Sequence, residues 1–154
     1  MSDLAARQAA LVAALVCGGA PPAGFDPDRL RAATAALLRK RAGEVAATWP
    51  LLAASLTPHW TARFTAWAAG RPPAGPLRDG WDLARQLLAA GSLTGAAPEE
   101  LAARESWWRY DGVRPPRPRR WPAIGRAGPV AVLRLGDRIF RLPRRRGSRN
   151  TKTG

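Results

Sequence analysis

The stretch D-P-D-R-L-R-A-A-T-A-A-L-L-R-K-R-A-G-E-V-A-A-T-W-P (Asp26–Pro50) decides the fold class. Asp26 is a helix-capping residue, and Pro27 has the pre-set φ that suits the first helical position. Leu30, Leu37, Leu38, Val45 and Trp49 then recur with helical period on one face. Pro50 disfavours helical backbone at Trp49, so the helix is predicted to stop there. At about 100° per residue Arg41 falls inside this apolar face, while Arg31, Arg39 and Lys40 lie elsewhere. A basic side chain in such a place snorkels to water, pairs with a carboxylate, or marks a surface that a partner covers.

Upstream, Ser2 can cap an earlier helix whose stripe is Leu4, Leu11, Val12, Leu15 and Val16. Gly18-Gly19 is expected to end it, and Pro21-Pro22 to prevent its continuation. The apolar run Ala9–Cys17 follows Asp3 and Arg7 rather than a purely positive start. Val16 also stands where a lipoprotein signal needs a small residue, so the run reads as a helix face and not as a signal peptide. Nothing is long enough to span a bilayer, and no membrane partner is expected.

Downstream, Thr57-Pro58 repeats the cap-and-proline pattern, with Trp60, Phe64 and Trp67 following as core positions. Gly70 to Gly75 is a proline-rich break. Asp79 is expected to cap a fourth helix carrying Trp81, Ala84, Leu87 and Leu88, closed by Gly91. Thr94 to Pro98 leads into a fifth helix, with Glu99 and Glu100 well placed against its dipole.

The character changes at Trp107. Trp107-Trp108-Arg109-Tyr110-Asp111 can end a helix or start a strand. Arg114 to Pro122 (R-P-P-R-P-R-R-W-P) is too rich in proline for a helix and favours an extended strap. Val130–Leu135 and Arg138–Leu142 flank Gly136-Asp137, a two-residue hairpin turn. That register sets Leu135 opposite Arg138, Leu133 opposite Phe140 and Ala131 opposite Leu142. One face is then mainly Ala131, Leu133, Leu135, Phe140 and Leu142. The other carries Val132, Arg134, Ile139 and Arg141. A lone hairpin is marginal in water, so a third strand is expected, from Trp108–Asp111, or else a docking surface. The expected organisation is mainly α: a five-helix domain over 1–106, a strap with a small β-hairpin or three-stranded β-unit over 107–143, and a disordered basic tail over 144–154.

Composition agrees with a folded chain. The hydrophobic fraction is 46%, but much of it is alanine, so the seven tryptophans should supply much of the core. The one cysteine, Cys17, excludes an internal disulfide and suits a reducing, cytoplasmic setting. The net charge is +14 and uneven: residues 1–106 hold 11 Lys/Arg and 9 Asp/Glu, whereas 107–154 hold 14 and 2. Such a field favours an acidic protein, nucleic acid or anionic lipid.

Catalytic signatures are missing. With one histidine, His59, and one cysteine, a nitrogen–sulfur metal site has too few ligands. Glu44, Asp79 and Asp82 lack metal spacing, and neither a phosphate loop nor a nucleophile elbow occurs. No cofactor, no metal and no enzymatic activity are expected; the chain should act by binding. Two partners compete. Arginines interleaved with Trp107, Trp108, Tyr110 and Trp121 suit phosphates and unpaired bases of DNA or RNA. Against this, no nucleic-acid reader motif is present. Tryptophan, tyrosine and arginine also anchor protein interfaces, and a free strand edge can accept an extended peptide.

The segments L-A-A-R-Q-A-A-L-V-A-A-L-V (Leu4–Val16), G-F-D-P-D-R-L-R-A (Gly24–Ala32), L-L-R-K-R-A-G-E-V-A-A-T-W-P (Leu37–Pro50), R-D-G-W-D-L-A-R (Arg78–Arg85) and W-W-R-Y-D-G (Trp107–Gly112) resemble the actinobacterial branch of a helical partner-protein family. Its members are often encoded beside multinuclear non-heme iron-dependent oxidative enzymes, TIM barrels that modify ribosomally made peptides. The resemblance implies an accessory subunit in a heterodimer with such an enzyme, helping to hold the precursor's leader, with iron and oxygen chemistry left to the barrel. An arginine-asparagine helix pattern found in related helical domains is replaced here by Leu38-Arg39-Lys40-Arg41. The residues expected to bind the enzyme are Trp107, Trp108, Arg109, Tyr110, Arg117, Arg119, Arg120 and Trp121. Those expected to receive peptide are Val130, Val132, Arg134, Ile139 and Arg141.

Overall fold

The computed structural model describes residues 2–17, 24 and 26–143. The tail expected over 144–154, and the helix stop at Gly18-Gly19 and Pro21-Pro22, lie outside the described residues. The elements are six helices, α1 (Ser2–Cys17), α2 (Pro27–Thr48), α3 (Pro50–Ser55), α4 (Trp60–Ala68), α5 (Pro76–Ala89) and α6 (Ala97–Trp107), then five strands, β1 (Trp108–Arg109), β2 (Arg117–Pro118), β3 (Ala123–Ala127), β4 (Val130–Leu135) and β5 (Arg138–Leu142). They form two compact units, Met1–Ala97 and Pro98–Gly154. The helix expected to close the helical domain, α6, therefore groups with the strands.

In the first unit, α2 begins as its sequence dictates. The Asp26 side chain accepts the amide of Asp28, and Pro27 occupies the first turn. Pro50 does more than stop α2: it becomes the first residue of the extra helix α3. A proline that cannot continue one helix is well suited to start another. Thr57-Pro58, expected to open α4, instead lies in the preceding turn with His59 at the helix boundary. Asp79 is likewise not the cap of α5. That helix starts at Pro76 after Gly75, and Asp79 sits buried in its first turn.

Asp79 is buried because of Arg41. The Arg41 Nε donates to Asp79 Oδ2 at 2.6 Å, with side-chain exposures of 11% and 3%. Arg41 also donates to the carbonyls of Arg71 and Pro72, and its guanidinium lies 5.9 Å from the Phe64 ring centroid. Asp79 additionally accepts the amide of Ala74. Of the three roles open to a cation on the apolar face of α2, pairing with a carboxylate is the one realised, and it ties α2 to the α4–α5 connection.

Around this pair, Trp49, Leu52, Phe64 and Trp81 are fully buried. Trp49 meets Trp81 edge-on at 5.9 Å, and its indole donates to the Leu77 carbonyl. The indole of Trp60 donates to the Ala42 carbonyl. Buried indoles thus find partners, as their polar edge requires. Gly80 is obligatory here: a Cβ would come within 2.2 Å of Trp49 Cδ1. Of the stripe read on α1, Leu4 and Val12 are exposed and Leu11 is half-buried, while Ala14 beside them is buried. On α2, burial is concentrated at Ala42, Val45 and Trp49, while Leu37 is exposed.

Removing one partner of the Arg41–Asp79 pair should cost about 3–5 kcal/mol, because the other charge stays buried alone. Asp79→Ala should show this loss in urea denaturation, and Arg41→Met with Asp79→Leu together should recover much of it. Double-variant stability no better than the single would show that the pair is not coupled.

Candidate docking site

The second unit is built on a three-stranded antiparallel sheet in the order β3-β4-β5. The hairpin register is the one its turn dictates: Leu135 opposite Arg138, Leu133 opposite Phe140, Ala131 opposite Leu142. The third strand is β3, not Trp108–Asp111. Trp108 and Arg109 pair instead with Pro118 and Arg117 in a separate two-stranded ribbon.

The two sheet faces differ over β3 and β4, while β5 is exposed on both. Ala123, Gly125 and Ala127 share a face with Val132 and Arg134 and are buried. At Gly125 a Cβ would stand 1.8 Å from the Ala102 carbonyl oxygen and 2.6 Å from the Ser106 nitrogen. Only a glycine lets α6 approach this closely. The opposite face carries the larger apolar side chains and stays open: Ile124, Leu135 and Phe140 are 43%, 45% and 47% exposed. Leu133 and Leu142 add half-buried area between them, and Arg126 and Arg138 flank the strip.

Arg134 organises the inner face. It is 5% exposed, and all three of its hydrogen bonds go to main-chain carbonyls. Its Nε donates to Ser106 at the end of α6, one terminal nitrogen to Gly136 in the hairpin turn, and the other to Arg119 in the strap. The guanidinium also lies 4.4 Å from the Trp107 ring centroid. The Arg119 amide donates to the Trp107 carbonyl, closing the strap onto the helix end. Arg141 reaches α6 from β5 through Glu99, at 2.8 Å.

The strap borders an open groove of about 1070 Å³. Arg109, Arg114, Arg117, Arg119 and Arg120 line it, together with Asp111; Pro115, Pro118, Pro122, Ala123 and Ile124 complete the walls. Asp111 holds the loop by accepting the amides of Val113 and Arg114. Those bonds, Arg114 first and then Val113, hold its carboxyl below the usual carboxylate range. Because its folded pKa is the lower one, the turn is at full strength above the ordinary carboxylate pKa. It weakens as pH falls through the depressed value.

Each residue singled out in the sequence now has a place. Arg109, Arg117, Arg119 and Arg120 converge on the groove. Trp121 is 68% exposed beside it, while Tyr110 is buried and Trp107 and Trp108 are half-buried. Among the residues expected to receive peptide, Val132 and Arg134 are buried on the inner face. Val130, Val132 and Arg134 belong to the central strand, which has no free edge. Ile139 and Arg141 lie on the edge strand β5 and are exposed. The sequence showed neither that Arg114 lines the groove nor that the apolar face of the hairpin looks outward. The small residues Ala123, Gly125 and Ala127, alternating in β3, were the available signal for which face the helix covers. Among the described residues, no group of three or more His, Cys, Asp or Glu side chains is placed to hold a metal ion. No helix among them is long and apolar enough to cross a membrane.

Residues 5–89 match the family model described as "SCO6045-like, C-terminal domain". The chain belongs to that family. The matched segment runs from α1 through α5, so the groove and the three-stranded sheet lie beyond it. A "UPF0276 protein" of Streptomyces avermitilis is 39% identical over 137 residues, covering 85% of this chain and 27% of the relative. The chain thus spans about a quarter of that relative's length. No solved structure matches.

Two variants test how the site is held. Arg134→Met leaves one buried and two part-buried carbonyls without their donor and should cost about 3 kcal/mol, at roughly 1–3 kcal/mol for each unsatisfied group with partial rescue by water. Amide exchange at Arg119 should accelerate with it. Gly125→Ala should cost about 2–3 kcal/mol by forcing β3 off α6. If Arg119 exchange in Arg134→Met matches the parent, Arg134 does not hold the strap.

Proposed function

We propose that the chain is a non-catalytic accessory subunit that docks on a TIM-barrel multinuclear non-heme iron enzyme and helps recruit its ribosomally made precursor peptide. The observation that carries the docking part is the outward apolar face of the β3–β5 sheet. Ile124, Leu135 and Phe140 stand in water on a strip that a soluble surface would ordinarily cover. Edge strand β5, paired on one side only among the described residues, supplies a main-chain ladder for an extended peptide. A pocket of about 440 Å³ at its end, bounded by Pro129, Val130, Arg141, Leu142 and Pro143, suits one side chain of such a peptide. The class of partner comes from the family resemblance of the helical segments.

Arg109, Arg117, Arg119, Arg120 and Trp121 flank this surface as the polar rim of the same interface. DNA or RNA binding is the competing use of these arginines; Trp121, exposed beside the groove, is the one ring near it on which a base could stack, and the groove's own lining adds none.

Co-expression with an iron-dependent TIM-barrel enzyme from the same genome tests the proposal. A stable iron-containing heterodimer is expected on gel filtration. Phe140→Lys with Leu135→Lys should abolish it while leaving the circular dichroism unchanged, because both side chains point away from the core. A complex unaffected by the double variant, or DNA binding that survives near-physiological salt in place of any complex, would overturn it.

A further inference from the structure

The five-arginine groove is more than a rim. We propose that it is a recognition site for a carboxylate-rich, extended segment of a protein, and that Arg109 and Arg117 are its central pair. The inference rests on the reading of this chain as a docking module and names the chemistry of what docks.

The pairing of β1 with β2 sets Arg109 directly opposite Arg117. Like charges at directly opposed positions destabilise a ribbon. Both residues are exposed, and both line the groove. Arg114, Arg119 and Arg120 face the same space, and Arg119 has its Nε buried without a hydrogen-bond partner. A ribbon of two residues per strand is a costly place for such a pair unless an anion bridges it. Guanidinium groups side by side present forks that match carboxylates.

The walls favour a peptide over a nucleic acid. Pro115, Pro118, Pro122, Ala123 and Ile124 give the groove an apolar lining that suits side-chain methylenes. A single strand of nucleic acid stacks successive bases on a series of rings, whereas the lining has none and Trp121 beside it offers one. Asp111, held ionised by the Val113 and Arg114 amides, repels a continuous line of phosphates; separated carboxylates can straddle it. The groove also adjoins Ala123 and Ile124 at the start of β3, an edge strand with no second partner among the described residues. Backbone running along that edge would find hydrogen-bonding groups that a sugar–phosphate chain cannot use.

Calorimetric titration of the full chain at 50 mM salt tests this with three probes: a ten-residue peptide of alternating Glu and Ser, a ten-residue oligothymidine, and inorganic phosphate. The peptide should bind most tightly and weaken at least tenfold in Arg109→Thr/Arg117→Thr. That variant should melt no lower than the parent, because it relieves the opposed charges, so its loss of binding is not a loss of fold. Tighter binding of the oligothymidine, equal binding of phosphate, or peptide affinity unchanged in the variant would each overturn the proposal. The titration needs no enzyme. A failed titration beside an intact heterodimer removes the groove's chemistry alone, and a failed heterodimer beside a positive titration removes the enzyme partner alone.

Discussion

A single buried guanidinium holds the C-terminal unit together. Arg134 joins three pieces of chain, the end of α6, the strap and the hairpin turn, through one buried and two part-buried carbonyls. Arginine suits the task because its donors are arranged in a rigid plane and its weakly hydrated face can lie on a tryptophan ring. Two features of the candidate site follow from this anchor. The strap can border an open groove because its Arg119 end is fixed, and the hairpin can offer β5 to a partner because its turn is fixed. The helical unit uses the same device with a different counterpart: Arg41 binds two carbonyls and one carboxylate, and thereby places the first turn of α5.

Much of this was legible in the sequence. Asp26-Pro27, the Gly136-Asp137 turn and the acidic start of α6 are local signals, and local signals decided those elements. Arg41 announced itself as a cation at an apolar position, although its carboxylate, 38 residues away, could not be chosen without the fold. The third strand was misassigned because Trp108–Asp111 is the more strand-like segment by composition. Tertiary fit decided instead for A-I-G-R-A (Ala123–Ala127), whose small residues let α6 approach. Strand propensity measures packing against neighbours, and here the neighbour was a helix. One proline was misread in a similar way. Pro50 stops α2 as expected, whereas Thr57-Pro58 marks a boundary at which only contacts beyond the local sequence say where the next helix begins.

The site follows the same division. The convergence of Arg109, Arg117, Arg119 and Arg120 was visible as a charge excess. Their arrangement around one groove depends on the β1–β2 pairing, which two-residue strands do not advertise. The partition of the hairpin into two faces was correct from alternation alone. Which face looks outward was decided by a glycine on a different strand.

The outward apolar strip has a consequence for the life of the chain before it meets a partner. A sheet whose two edges have no further strand among the described residues, and whose one face is apolar, is prone to stack or pair with copies of itself. Arg126 and Arg138 bracket the strip, and their charge would oppose such contacts as gatekeepers do. These two arginines would then oppose self-association of the chain, whatever the groove beside them binds.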